Sequence, residues 1–185
     1  MLTRIAAAGA LTLAVLPLAP IASAQDPNPL LPLVDAAAQR LQTADPVAAN
    51  KFRTGGPIED PRREQQVIDA TTAEADSRHI VPAYVGDVFR DQIDATVAVE
   101  HSLFAQWKLD PDTAPVSAPD LSASRSAIDA LNHTMVDEIA DQWPTLHSPS
   151  CPADLASAVD AVAVARNLDP LYRRALDFAT RSYCR

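Results

Sequence analysis

Beyond the N-terminal two dozen residues, apolar positions recur at three- and four-residue intervals, and no stretch shows the strict alternation of a half-buried strand. After Pro82, Val85, Val88, Phe89, Ile93, Val97 and Phe104 fall on one stripe of a long helix. Ile128, Leu131, Met135 and Ile139 form a matching stripe further on, and Leu33, Val34, Ala37 and Leu41 mark the apolar face of an early helix. The punctuation between these segments is that of helices. Asp45-Pro46, Asp60-Pro61 and Asp169-Pro170 each set an N-capping acid before a proline at the first helical position. Glu64 follows Asp60 by four residues and adds negative charge near the positive end of the same helix. Gly55-Gly56-Pro57 breaks the chain, Ser122 is the expected cap of the second long helix, and three prolines between Asp110 and Pro119 make a connector. The pattern predicts helices over roughly 30–43, 46–53, 61–78, 82–108, 121–146, 152–167 and 170–183. Nothing repeats internally, so the expectation is one all-α domain covering residues 25–185.

Residues 1–24 read differently. Arg4 supplies a positive start, Ile5 to Leu18 is apolar, and Ala22-Ser23-Ala24 fits the small-x-small pattern of a cleavage site. A membrane anchor is the rival, but Pro17 and Pro20 interrupt the run, which is shorter than the roughly 20 apolar residues of a span. A cleaved signal peptide and a secreted or periplasmic protein are therefore expected.

The full chain carries a net charge of −9, and loss of Arg4 with the signal would leave it more acidic still. Such a surface argues against nucleic acid or an anionic membrane as partner, and makes any cluster of inward cations more informative. Cys151 and Cys184 are the two cysteines. In an oxidising compartment they read first as a disulfide, with two unrelated buried thiols as the alternative. His79, His101, His133 and His147 are scattered without ligand spacing, so no metal site is expected.

Several polar residues sit beside the apolar stripes. Arg40 ends the first helix, Lys51 stands next to Phe52, and Arg63 and Arg125 lie in first turns. Thr96 and Glu100 share a face of the long helix beside Ile93 and Val97. Singly, each has a plain explanation: arginines near helix ends snorkel to solvent or cap carbonyls, and a Thr/Glu pair commonly marks a solvated edge.

Together they carry a resemblance. The stretches DAAAQRLQTADPVAANKFR (35–53), PIEDPRRE (57–64), VFRDQIDATVAVEHSLFAQWKLDP (88–111) and PDLSASRSAIDALN (119–132) resemble the secreted (gamma) subclass of the AroQ-type chorismate mutases, in order and with spacing kept. The late cysteine pair is similar too. The resemblance implies a single-domain helical bundle of about six helices, chorismate mutase type II-like, with the active site inside the bundle. It implies chorismate as substrate, no cofactor, and a homodimer in which each active site belongs to one protomer.

By position, the substrate-binding residues would be Arg40, Lys51, Arg63, Glu64, Thr96, Glu100 and Arg125, with Lys51, Glu100 and Arg63 catalytic. Asp60 and Glu64 match a D-x-x-R-E pattern in which the acid faces the substrate hydroxyl. The run Arg62-Arg63-Glu64-Gln65-Gln66 admits two registers, one placing Arg63 with Val67 on the site and one placing Arg62 with Gln66 there. The first fits D-x-x-R-E directly.

Chorismate is a dianion with an enol ether. Its rearrangement to prephenate breaks a C–O bond as a C–C bond forms, with negative charge growing on the ether oxygen. Orientation and electrostatic preorganisation suffice. Two carboxylates favour planar bidentate donors, hence the arginines. Lys51 would meet the ether oxygen from one side, and Glu100 would help from the other only as a protonated donor. A helical binding module that lost catalysis, and an isochorismate–pyruvate lyase on the same scaffold, are the competing expectations.

Overall fold

The computed structural model describes residues 28–185, and the segment read as a signal peptide, 1–24, lies outside them. Eight α-helices follow in order: α1 Leu31–Gln42, α2 Ala44–Thr54, α3 Pro61–Ser77, α4 Pro82–Leu109, α5 Leu121–Asp141, α6 Trp143–Leu146, α7 Cys151–Ala165 and α8 Pro170–Ala179. A 3₁₀ turn, Pro111–Thr113, follows α4, and the described residues contain no strand.

The bundle is organised around α4, whose 28 residues reach about 42 Å at the helical rise. Proline fixes both limits. Pro82 stands at its first position, and Pro111 follows the terminal Asp110, where a further helical N–H would be missing. Helices α3 and α8 lie along α4, and α1 packs on α5, α7 and α8. Leu33, Val34, Ala37 and Leu41 of α1 meet Val85, Val88 and Phe89 of α4, Met135 and Ile139 of α5, and Leu176 of α8 in one solvent-free core. A smaller cluster of Ala48, Ala49 and Trp107 closes the other end of α4, with Phe52 edge-on to Phe104 and Trp107 at 5.2 and 5.3 Å. Between these two apolar clusters α4 presents Ile93, Thr96, Val97 and Glu100 to a cavity.

Two expected caps are present. The Asp60 side chain accepts from the Arg63 N–H, and that of Asp169 from the Tyr172 N–H. Asp45 does not cap: Thr43 keeps helical dihedrals, α2 starts at Ala44, and the Asp45 carboxylate instead accepts from the Tyr172 hydroxyl at 2.7 Å. A cap needs an extended residue ahead of it, and α1 runs into α2 without one. Ser122 yields its expected role to Asp120, which has the extended backbone and accepts the Ser122 N–H. The single helix expected over 121–146 is two, α5 and α6. Pro144 cannot donate to a carbonyl four residues back, and its ring crowds that carbonyl, so α5 stops at Asp141 and one turn restarts beyond it.

Cys151 and Cys184 are joined, with Cα atoms 5.6 Å apart, fastening the start of α7 to the end of the chain. Asp91, buried on α4, holds the same terminus through Arg181 at 2.5 Å and through the Ser182 hydroxyl.

Candidate active site

Five helices and the turn after α2 converge on a cavity of about 120 Å³ in the described region. Helix α1 ends by delivering Arg40 and Thr43, and α2 adds Val47 and Lys51. Gly55, at φ +72°, ends α2 in the left-handed conformation that glycine adopts without penalty, and the chain turns back to bring Ile58 into the cavity wall. Helix α3 contributes Arg63, Glu64 and Val67, α4 the four residues already named, and α5 Leu121, Arg125 and Ile128.

All seven residues singled out from the sequence line this one cavity: Arg40, Lys51, Arg63, Glu64, Thr96, Glu100 and Arg125. The doubled arginine is placed as well. Arg63, Glu64 and Val67 face the cavity, while Arg62 and Gln66 border a separate one outside it.

Each charged group has a distinct environment. Arg40 is buried and donates from Nε to Asn132 Oδ1 at 2.7 Å, with its guanidinium 5.8 Å from the Phe89 ring centroid. Loss of water lowers its pKa to about 10, which still leaves it a cation at neutral pH. Lys51 Nζ donates to Glu100 Oε2 at 2.8 Å and to the Ile58 carbonyl at 2.5 Å. Burial pushes the Glu100 carboxyl above the usual range, opposed by the hydrogen bond and charge of Lys51. Arg63 pairs with Asp129 at 2.5 Å. Glu64 accepts from Arg90 and from the Asp60 N–H, both at 3.3 Å. Thr96 donates its hydroxyl to the Gln92 carbonyl, 2.8 Å away, and lines the cavity from α4. Arg125 has no ion pair among the described residues.

Four cations thus stand around walls of Val47, Ile58, Val67, Ile93, Val97, Leu121 and Ile128. Low-polarity walls strengthen each charge, so the cavity suits a small polyanion that also carries an apolar ring.

Residues 32–101 match the chorismate mutase type II family. The chain is 69% identical over 166 residues to the secreted chorismate mutase of Mycolicibacterium smegmatis, covering 90% of this chain and 92% of that one. It belongs to the chorismate mutases. The secreted chorismate mutase of Mycobacterium tuberculosis is 52% identical over 165 residues, covering 89% and 83%. Among solved structures, the chorismate mutase of Burkholderia phymatum superposes with a TM-score of 0.80 at 32% identity, covering 85% of this chain and 97% of that one. This chorismate mutase fold therefore spans nearly all the described residues.

Some partners in the site leave little or no mark in the sequence. Asn132 had a signal: it lies on the stripe of Ile128, Met135 and Ile139, where a polar side chain must find a buried partner, and that partner is Arg40. Asp129 and Arg90 had none, being ordinary surface charges in sequence. The Ile58 carbonyl is a backbone acceptor and leaves no mark in the side-chain pattern.

Proposed function

We propose that this protein is a secreted chorismate mutase that converts chorismate to prephenate within the cavity between α1, α2, α3, α4 and α5. The observation that carries the reading is the convergence of Arg40, Lys51, Arg63 and Arg125 on one mainly apolar cavity, in a family whose relatives bear that name. Lys51 and Arg63 already rest against Glu100 and Asp129, and a dianion entering the cavity would offset Arg40 and Arg125, which have no carboxylate partner among the described residues.

The reaction is intramolecular: the C–O bond of the enol ether breaks, a C–C bond forms between the fragments, and nothing is added or lost. Arg40, Arg63 and Arg125 bind the two carboxylates and hold the reactive diaxial conformer. Lys51 directs its ammonium at the ether oxygen as charge grows there. Glu100, four residues and one turn from Thr96, donates to the same oxygen when protonated. The desolvation that raises its pKa supports this role, and the arriving dianion adds to the effect. Glu64, beside Asp60 and Arg90, faces the substrate hydroxyl. Residues 1–24 act as the signal peptide and 25–185 as the mature enzyme, an isomerase that assembles as a homodimer with a complete site in each protomer.

Product analysis tests the reading. Prephenate as sole product from chorismate is expected. Pyruvate and salicylate from isochorismate would instead make the protein a lyase, and no turnover by folded, oxidised protein would make it a binding module.

A further inference from the structure

A second cavity, of about 310 Å³, opens beside the first and is bounded by Asp60, Arg62, Arg63, Gln66 and Arg125. Three of these, Asp60, Arg63 and Arg125, also line the inner cavity, so the two share a wall. The outer one is polar and open to solvent: Arg62, Gln66 and Arg125 are all exposed.

Its walls carry three arginines against one carboxylate, Asp60, the reverse of the chain's overall balance. The chain has 24 acids against 15 lysines and arginines, and six of its arginines (Arg63, Arg78, Arg90, Arg166, Arg181 and Arg185) each rest against a carboxylate. Of the arginines without a carboxylate partner among the described residues (Arg40, Arg53, Arg62, Arg125, Arg173 and Arg174), Arg62 and Arg125 border this cavity. The Asp60 carboxylate, which lines the cavity with them, caps α3 through the Arg63 N–H at 3.1 Å and is the one acid set against these guanidiniums in the cavity wall. Two guanidiniums without a carboxylate partner and the Gln66 amide therefore border one open space beside the inner cavity. Arg62 does not reach the inner cavity, so the mutase chemistry leaves it without a task.

We propose that the outer cavity is an anion-capture site for the incoming substrate, with Arg62 as its dedicated cation. This rests on the mutase reading of the inner cavity. One carboxylate of the dianion docks between Arg62 and the outer side of Arg125, with Gln66 donating from its amide, and then passes inward to Arg63. On a chain with net charge −9, a dianion is otherwise repelled, and a local positive focus restores the encounter rate. Arg62 is a positioning residue: it acts before the chemical step and touches none of the reacting atoms.

The test is steady-state kinetics of the purified protein with chorismate at ionic strengths from low to high, for wild type, Arg62→Glu, Arg62→Lys and Arg174→Glu. Arg174 is an exposed arginine of α8 that lines neither cavity and controls for net charge alone. At low ionic strength Arg62→Glu should lose about 10-fold in kcat/KM through KM, with kcat within about two-fold of wild type. The deficit should shrink as salt screens the charge. Arg62→Lys should stay near wild type, and Arg174→Glu should lose far less than Arg62→Glu. Equal losses in Arg62→Glu and Arg174→Glu, a deficit that persists at high salt, or a fall in kcat matching that in kcat/KM would each overturn the proposal. Wild type without turnover would overturn the mutase reading and this inference with it. Active wild type with an indifferent Arg62→Glu overturns the inference alone.

Discussion

At the scale of single residues, Glu100 is the most informative group. It is 3% exposed, bonded to Lys51, and its carboxyl is raised by burial against the pull of that ammonium. On the proposed mechanism, an ionised Glu100 would repel the ether oxygen of chorismate and a protonated one would donate to it. Since the folded-state pKa is raised, the donor form persists to higher pH than an ordinary carboxyl allows, and is lost as pH climbs through that value. kcat/KM should therefore decline from acid toward alkaline pH, and Glu100→Gln should remove the decline without exceeding wild type at low pH. A flat wild-type profile, or a glutamine variant that is faster in acid, would contradict this role. The site's side chains were visible in sequence only as a set in fixed order. Alone, Arg40 or Arg125 is indistinguishable from a solvated helix-end arginine. The hydrogen bonds that hold the set, from Arg40 to Asn132 and from Lys51 to the Ile58 carbonyl, depend on which helices meet, which local pattern does not encode.

At the scale of elements, α3 links stability to the site. Asp60 caps its first turn, and that same turn carries Arg63 and Glu64 into the cavity. Asp60→Ala should cost about 0.5–2 kcal/mol of stability by loss of the cap, read by chemical denaturation, and should raise KM by loosening Arg63. An unchanged denaturation midpoint would show that the cap contributes nothing. Helix caps were only partly readable beforehand. Asp60 and Asp169 act as their Asp-Pro sequence suggests, whereas Asp45 does not, because its backbone is already inside a helix set by the preceding turn. The split of α5 from α6 at Pro144 shows the converse: an apolar stripe can run on past a residue that breaks the backbone ladder.

For the whole molecule, the all-α class follows from the three- and four-residue periodicity and the Pro and Gly stops, since these are local. The central place of α4, lying along α3 and α8 and meeting α1 and α2, is a tertiary outcome that periodicity alone leaves open. The chain end is fastened by the disulfide, by Asp91 and by the Tyr84 hydroxyl, which donates to the Tyr183 carbonyl at 2.6 Å. Closing a loop with cysteines 33 residues apart restricts the unfolded chain, so reduction should lower stability by about 3–4 kcal/mol on the chain-entropy view. Denaturation with and without reductant checks it, and coincident curves would contradict it.

On the proposed mechanism, the cations of the inner cavity stabilise the rearrangement of chorismate. Loss of chorismate absorbance, followed with wild type and Lys51→Ala side by side, tests it most directly. Rapid consumption by wild type and a loss of about 2–4 kcal/mol in transition-state stabilisation for the variant, on the scale of removing one oxyanion donor, is the predicted result. Near-equal rates for a folded Lys51→Ala, or no consumption by wild type, would contradict that role.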